Sequence, residues 1–530
     1  MNYTIERMVC VACLVGLPSL ASANGDLIAA QSQRLTADVP VPNGFFATKI
    51  AIDGDLMVVG TRESAAYVFE HSQDQWQQVA RLSVSPGAGF GSAVALDAAS
   101  ETVVVGGGAF VGGDLLATAW IFERIGGVWT QMQRVSVPDS DAFFGGAVSV
   151  AISGDRLAVG GPLDLDLSDR GQVDVFGRTM GTWNFECRLE PQFPQDEDFF
   201  GWSVDMDGTT VVVGAYGDDG AATQTGAAYV FDLDVSCSTP QRLSDMTSPS
   251  NSLAFGWSVA VDGPRIAVGA RFDTTHGSMG GAVVAYENMG GNWTEVDKLT
   301  PAGAQAGDWF GFDVDLDGDR LVVGANLDDA ALVGEGSVYL YSWDGAGWCE
   351  EQRVNAADGQ VSGRFGEAVG IDGGRFVAGT FGAGSPAASG VAYAFEFGSE
   401  QGSPYCQGGI NSIGLAAGIT SFGSALVADD DFHLLATDAP PNRFGLFFYG
   451  PNQVQVPLDN GFRCVGGMTQ RLYPILRTDP AGALQRRISL SSEPGLSTIG
   501  NAAPITMNFQ LWYRDGGSSN LTDGVEVSFQ

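Results

Sequence analysis

An aromatic residue followed by a small one recurs along this chain at nearly constant spacing, and that periodicity decides most of what the chain can fold into. The pairs are Phe46-Ala47, Phe90-Gly91, Phe144-Gly145, Phe200-Gly201, Phe255-Gly256, Phe310-Gly311 and Phe365-Gly366. The steps between the phenylalanines are 44, 54, 56, 55, 55 and 55 residues. Each is followed 14 or 16 residues later by a glycine that closes an apolar run: Gly60, Gly106, Gly160, Gly214, Gly269, Gly324 and Gly379. Seven paired anchors in register mark seven copies of one supersecondary unit, and such units are stable only when stacked on their neighbours.

The sixth copy shows what the unit is. Phe312 to Leu316 alternates apolar and acidic residues up to a tight Asp317-Gly318 turn, and Leu321-Val322-Val323 reads as a second, buried strand. Asn326 to Glu335 is a polar loop, Ser337 to Tyr341 a third strand, Asp344-Gly345 a turn, and Trp348 to Val354 a fourth strand. Four antiparallel strands per unit with no helix between them make a propeller blade. The fourth strand carries a basic–apolar pair: Arg81-Leu82, Arg134-Val135, Arg188-Leu189, Arg242-Leu243, Lys298-Leu299 and Arg353-Val354. The seventh unit ends at Phe397 without one, and the missing copy lies at the other end as Arg34-Leu35. The expected fold is all-β: a seven-bladed propeller over residues 24–398, its last blade closed by an N-terminal strand that removes an exposed edge.

Phe310-Gly311, then Asp317-Gly318, then Gly324-Ala325 resemble the FG-GAP repeat family, which includes the propeller of integrin α chains. The resemblance covers residues 27–397 and specifies architecture rather than activity. It implies a calcium loop of the form D-x-D-x-D-G-x-x-D in the first hairpin of a blade. Asp313, Asp315, Asp317 and Gly318 match the start of that loop, making Ca²⁺ the expected ligand there, although Leu321 occupies the last ligand position.

Acids outnumber bases 62 to 26, for a net charge of −36, and lysine occurs only at Lys49 and Lys298. General electrostatics therefore exclude nucleic acid and anionic bilayers as partners. The three histidines, His71, His276 and His433, are far apart in sequence, which counts against zinc clusters and Ser-His-Asp chemistry. Residues 1–23 read as a secretory signal, with an apolar stretch from Met8 to Leu17 and a small-residue cleavage site at Ala21-Ser22-Ala23. No later segment supplies the ~20 apolar residues that a membrane-spanning helix needs. Removing the signal leaves five cysteines. Cys406 and Cys464 are the expected disulfide in an oxidising compartment, while Cys187, Cys237 and Cys349 could equally be paired or be buried thiols.

After a linker at 399–404, residues 405–530 break into short alternating runs separated by Pro and Gly, as in a β-sandwich of jelly-roll type. The strings Phe447-Phe448-Tyr449-Gly450 and Phe509-Gln510-Leu511-Trp512-Tyr513 resemble a C-terminal module of secreted repeat proteins from planctomycete-like bacteria, a likeness that names no function.

Alternating strand direction puts the long loops of every blade on one face and the tight hairpins on the other. The loop face collects Asp164, Asp166, Asp169, Asp196, Asp198, Asp218, Asp219, Asp328 and Asp329, with Glu190, Glu197 and Glu335. Two readings stay open: a surface for Ca²⁺ or a cationic partner, since hard cations need several oxygens, or a solvated acidic face. No phosphate loop, nucleophile elbow or CxxC pair occurs in a suitable context, so no catalytic constellation is recognised. The expectation is an exported, non-enzymatic binding or adhesion protein that presents its acidic face to an extracellular protein, glycan or cation. The competing class is a secreted glycan-active enzyme, a hydrolase or lyase, using carboxylates on that face.

Overall fold

The computed structural model describes residues 28–529 except 39, 42, 63–64, 73–74, 86–87, 143–148, 167, 192, 220–224, 248–252, 302, 330–331, 357–358, 383–388, 399–402, 407, 409, 424–431, 460, 479–481, 489–504 and 516–517. The signal segment 1–23 and the anchor Phe144-Gly145 lie outside them. The chain divides into two compact units, Gln31–Phe395 and Glu396–Gln530.

In the first unit the described residues form seven four-stranded antiparallel sheets. Sheets one to six run over 49–82, 88–136, 149–189, 203–243, 255–299 and 310–354, each in chain order from the innermost strand outward. Sheet seven takes three strands from 365–398, and its outermost is Ile28–Leu35, hydrogen-bonded beside Val391–Gly398. Within each sheet the second strand is buried along nearly its whole length, as with Leu321 to Ala325, because it is covered by a neighbouring sheet on both faces. The fourth strand alternates, as Gln75–Leu82 does, because one face meets water. Sheet two departs from the others. Its strands Thr102–Val111 and Asp114–Ile125 continue into a ribbon closed by Gly112-Gly113, leaving Phe110 exposed where its neighbours have loops.

The paired anchors of the sequence meet across the seams between sheets. A Cβ on Gly214 would lie 2.1 Å from the carbonyl oxygen of Gly256, and one on Gly324 2.2 Å from that of Gly366. The same approach joins Gly60 to Gly91, Gly160 to Gly201, Gly269 to Gly311 and, closing the ring, Gly379 to Ala47. The closing glycine of one sheet thus seats the Phe-Gly peptide of the next, which is why the two motifs recur together. Each described anchor ring then wedges edge-on against an aromatic of its own third strand, as Phe310 does against Tyr339 at 5.4 Å.

The Asp-Gly hairpins make a second ring. A backbone N–H of each hairpin donates to a side chain on the hairpin before it: Ala98 to Asp53 (2.7 Å), Gly154 to Asp97 (2.7 Å), Gly208 to Ser153 (3.0 Å) and Gly263 to Asp207 (2.9 Å). Gly318 to Asp262, Gly373 to Asp317 and Gly54 to Asp372 complete the circle. Turn propensity alone would account for Asp-Gly in any hairpin; here the aspartate also fastens its sheet to the next.

The second unit packs two sheets on one core of Phe432, Leu434, Phe447, Tyr449, Phe509, Leu511 and Phe529. Its first strand, Ser403–Tyr405, begins inside the stretch expected to be linker, because it pairs with Gly524–Phe529.

Candidate functional site

The acidic loop residues are mostly engaged in building their own loops. Asp218, 4% exposed, accepts from Tyr229 Oη at 2.5 Å and from Arg242 Nη2 at 2.5 Å. Asp328, 1% exposed, repeats this with Tyr339 Oη at 2.6 Å and Arg353 Nη2 at 2.5 Å. In these two blades the basic member of the strand-four pair therefore neutralises a loop carboxylate, which removes Asp218 and Asp328 from any binding surface. Asp164 accepts from Ser168 Oγ and the Arg170 and Gly171 N–H groups, and Asp169 accepts from the Asp164 N–H. Asp329 accepts from the Gly334 N–H, and Asp196 is paired with Arg170. Asp166 and Asp219 are exposed, with Asp166 accepting from the Ser168 N–H.

Asp198 is buried too, and accepts from the Gln195 N–H. Burial, helped by the charges of Asp218 and Asp219, lifts its carboxyl to about 6. Asp308, which sequence reading passed over, occupies the same place two seams further on and is also lifted to about 6, by burial and by Asp328. The proposed calcium ligands lie on the innermost strand of sheet six. There Asp313 accepts from Val369 N–H, Asp315 from Ile371 N–H and Asp317 from the Gly373 N–H. These carboxylates fasten sheet six to sheet seven at three successive points, and do not converge on one centre. Among the described residues no three His, Cys, Asp or Glu side chains are gathered as a metal site would need. Asp205 on sheet four makes the corresponding bond to Val261 N–H, and burial lifts it to about 6. Burial and the charge of Asp205 hold Asp315 well above the usual range.

What the loop face does assemble is aromatic. The innermost strands touch one another in cyclic order, so their loop-side ends surround the axis. The residue two past the anchor phenylalanine is Trp202, Trp257 and Phe312 in sheets four, five and six, against Thr48 and Ser92 in sheets one and two. With Phe199, Tyr216, Phe272 and Trp309 these form a continuous, half-buried array. Phe199 stacks on Tyr216 at 4.9 Å, Trp202 lies 4.7 Å from Trp257, and Trp309 lies parallel to Phe312 at 6.1 Å. Phe199 and Trp309 precede anchors and have φ of 53° and 57°, a conformation costing a non-glycine residue about 1–2 kcal/mol. Gly89 fills the equivalent place in sheet two, so these bulky rings are not there for the backbone's sake. The repeat itself could have exposed the array in the sequence: blade-building positions are constant, and bulk at their variable neighbours is the signal.

A family model for the FG-GAP repeat matches residues 183–231 and 293–341. The chain is an FG-GAP repeat β-propeller protein. Each matched span of this FG-GAP protein starts in the outermost strand of one sheet and ends in the third strand of the next, so the repeat as a sequence unit straddles a seam. FG-GAP repeats are typical of extracellular proteins and often mediate binding or adhesion. A search of curated proteins finds no match. Among the described residues no helix is long and apolar enough to cross a membrane.

Among the described residues two disulfides are formed. Cys406 bonds to Cys464, and Cys187 on sheet three bonds to Cys237 on sheet four, tying their outermost strands together. Cys349 remains a thiol, 3.8 Å from Asp344 Oδ2.

Asp198 and Asp308 make the stability of this FG-GAP propeller pH-dependent. Their folded pKa values stand above the ~3.9 of an unfolded chain, so the folded state binds more protons between those limits. Their contribution is full in acid and is lost as pH rises through about 6. Asp198→Asn and Asp308→Asn should therefore raise the urea midpoint at pH 8 and leave it nearly unchanged at pH 4. An equal effect at both would show that the carboxylates are not held in this state.

Proposed function

We propose that this is an exported binding or adhesion protein whose ligand docks on the loop-bearing face, over the aromatic array at the axial mouth. The observation that carries the reading is the concentration of half-buried rings in sheets four to six, where Trp202, Trp257 and Phe312 hold a position that sheets one and two fill with Thr48 and Ser92. An aromatic-lined mouth with few polar groups is the usual make-up of a ligand site. Export is supported by the apolar segment Met8 to Leu17 and by two disulfides, which persist in oxidising compartments. The acidic surround keeps the protein soluble and disfavours anions that meet no cation at the docking point.

The test is retention on a panel of immobilised polysaccharides and extracellular-matrix proteins, with Trp257→Ala and Trp309→Ala beside the parent. A ligand that binds the parent and loses at least tenfold in affinity on either substitution supports the reading. Identical retention by all three chains, or none by the parent, overturns it. The alternative of a glycan-active enzyme draws on one observation, the high-titrating Asp205 and Asp315 on the axis. Product release from a bound polysaccharide, abolished by Asp315→Asn, would favour it.

A further inference from the structure

At the centre of the array sits a cation with no counter-charge in hydrogen-bonding reach among the described residues. The Arg271 guanidinium carbon lies 3.1 Å from the ring centroid of Trp257, 4.2 Å from that of Phe272, 4.8 Å from that of Trp309 and 5.6 Å from that of Phe312. Its Nε is buried and has no hydrogen-bond partner. Arg188, Arg242, Lys298 and Arg353 are treated differently, since each holds a carboxylate. Arg271 belongs to no such pair. Burial lowers its pKa to about 10, with only the more distant Tyr216 and Glu367 opposing the shift. Ring faces compensate part of that desolvation, but they leave the guanidinium's in-plane N–H donors unused. A buried donor without an acceptor calls for an explanation, and one offered beside half-exposed rings is best explained by an acceptor that arrives with a ligand.

We propose that Arg271 is the anion-recognising residue of the mouth and that its ligand is a carboxylate-bearing sugar, a uronic-acid residue of an acidic glycan. The inference rests on the binding reading above and names its ligand class. A planar guanidinium matches a carboxylate through two parallel hydrogen bonds. The C–H face of a pyranose carries slight positive charge and suits the negative face of Trp309 or Phe312. The residue two past the closing glycine is Arg271 in sheet five and Arg62 in sheet one, but Tyr216 in sheet four and Asn326 in sheet six; Arg62 is exposed, whereas Arg271 is half-buried among its rings.

The probe is a tetragalacturonate, titrated calorimetrically against the same oligosaccharide with its carboxyls reduced to alcohols. The parent should bind the acidic form at least tenfold more tightly than the reduced one. Arg271→Gln should lose at least tenfold for the acidic form and abolish the preference. Trp309→Ala should weaken both forms alike, with thermal midpoints confirming that each variant is folded. The comparison of the two sugars on the parent needs no variant, so a misfolded Arg271→Gln does not blunt the test. Equal affinity for the two sugars, a preference that survives Arg271→Gln, or response only to an acidic peptide would overturn the acidic-sugar assignment. In those cases, dependence of any ligand on Trp309 would still leave the binding reading standing, and independence of every ligand from it would sink both.

Discussion

Arg188→Met should cost the propeller about 3–5 kcal/mol, because it strands a carboxylate in the core. Asp174 has no solvent exposure, and its two oxygens accept from Arg188 Nε at 2.7 Å and Nη2 at 3.2 Å. Burial already pushes the Asp174 carboxyl up, and Glu190 and Asp139 push the same way; the Arg188 guanidinium works against all three. Burial outweighs the guanidinium, so the ion pair is not a net source of stability. Its two halves merely tolerate each other. Replacing both, as Arg188→Met with Asp174→Val, should therefore recover most of the loss, since removing a buried pair together is often neutral. Acid should also relieve the single variant. With a raised folded pKa, Asp174 takes up a proton as pH falls and ceases to be a buried charge, so the deficit at pH 5 should be smaller than at pH 7.5. Urea unfolding of the four chains at both pH values checks this. A loss under about 1 kcal/mol in Arg188→Met, against the ~3–5 kcal/mol expected, would mean that water reaches the pair.

That pair also shows how far the sequence could be read. The basic–apolar signature locates strand four, because its alternation is the local consequence of one buried and one wet face. What the basic residue is for cannot be read locally, since its carboxylate comes from a loop 24 residues away in Asp218–Arg242 and from the adjacent strand in Asp174–Arg188. The same blindness misplaced the acids. A composition rich in aspartate suggests a surface, yet Asp198, Asp218 and Asp328 are buried, and Asp313, Asp315 and Asp317 are spent on backbone N–H groups about 56 residues ahead. Periodicity fixes which residues share a seam only after the ring is closed in space. The aromatic mouth was within reach of the sequence, because Trp202, Trp257 and Phe312 occupy one repeat position. Arg271 was not: an arginine among rings reads in sequence like any other.

Removing residues 28–36 should be the most damaging truncation of the first unit. Ile28–Leu35 supplies the outermost strand of sheet seven, and without it Val391–Gly398 becomes an unpaired edge that invites pairing with another chain. The strand does more than fill a ladder. Gln33 Nε2 donates to Trp76 O at 2.9 Å, and Trp76 N–H donates back to Gln33 Oε1 at 2.7 Å. Gln241 makes the same two bonds to Trp293, and Gln133 to Trp183, so Gln33 clasps sheet seven to sheet one as its counterparts clasp sheets four to five and two to three. Leu35 is 3% exposed in the core shared with Phe46 and Tyr67. Burying Ala29 and Leu35 and making the clasp amount to on the order of 5 kcal/mol, at ~1.5–3 kcal/mol per large apolar side chain and ~1 kcal/mol per hydrogen bond. The shortened chain should consequently aggregate or unfold at low urea, and a peptide of residues 26–38 added in trans should restore the midpoint with the logarithm of its concentration above Kd. Gln33→Leu isolates the clasp and should cost about 1–3 kcal/mol, because it leaves backbone groups of Trp76 unpaired. A truncated chain as stable and monodisperse as the parent would show that the ring is closed without its leading strand, by the hairpin aspartates and the Gly379–Ala47 seam alone.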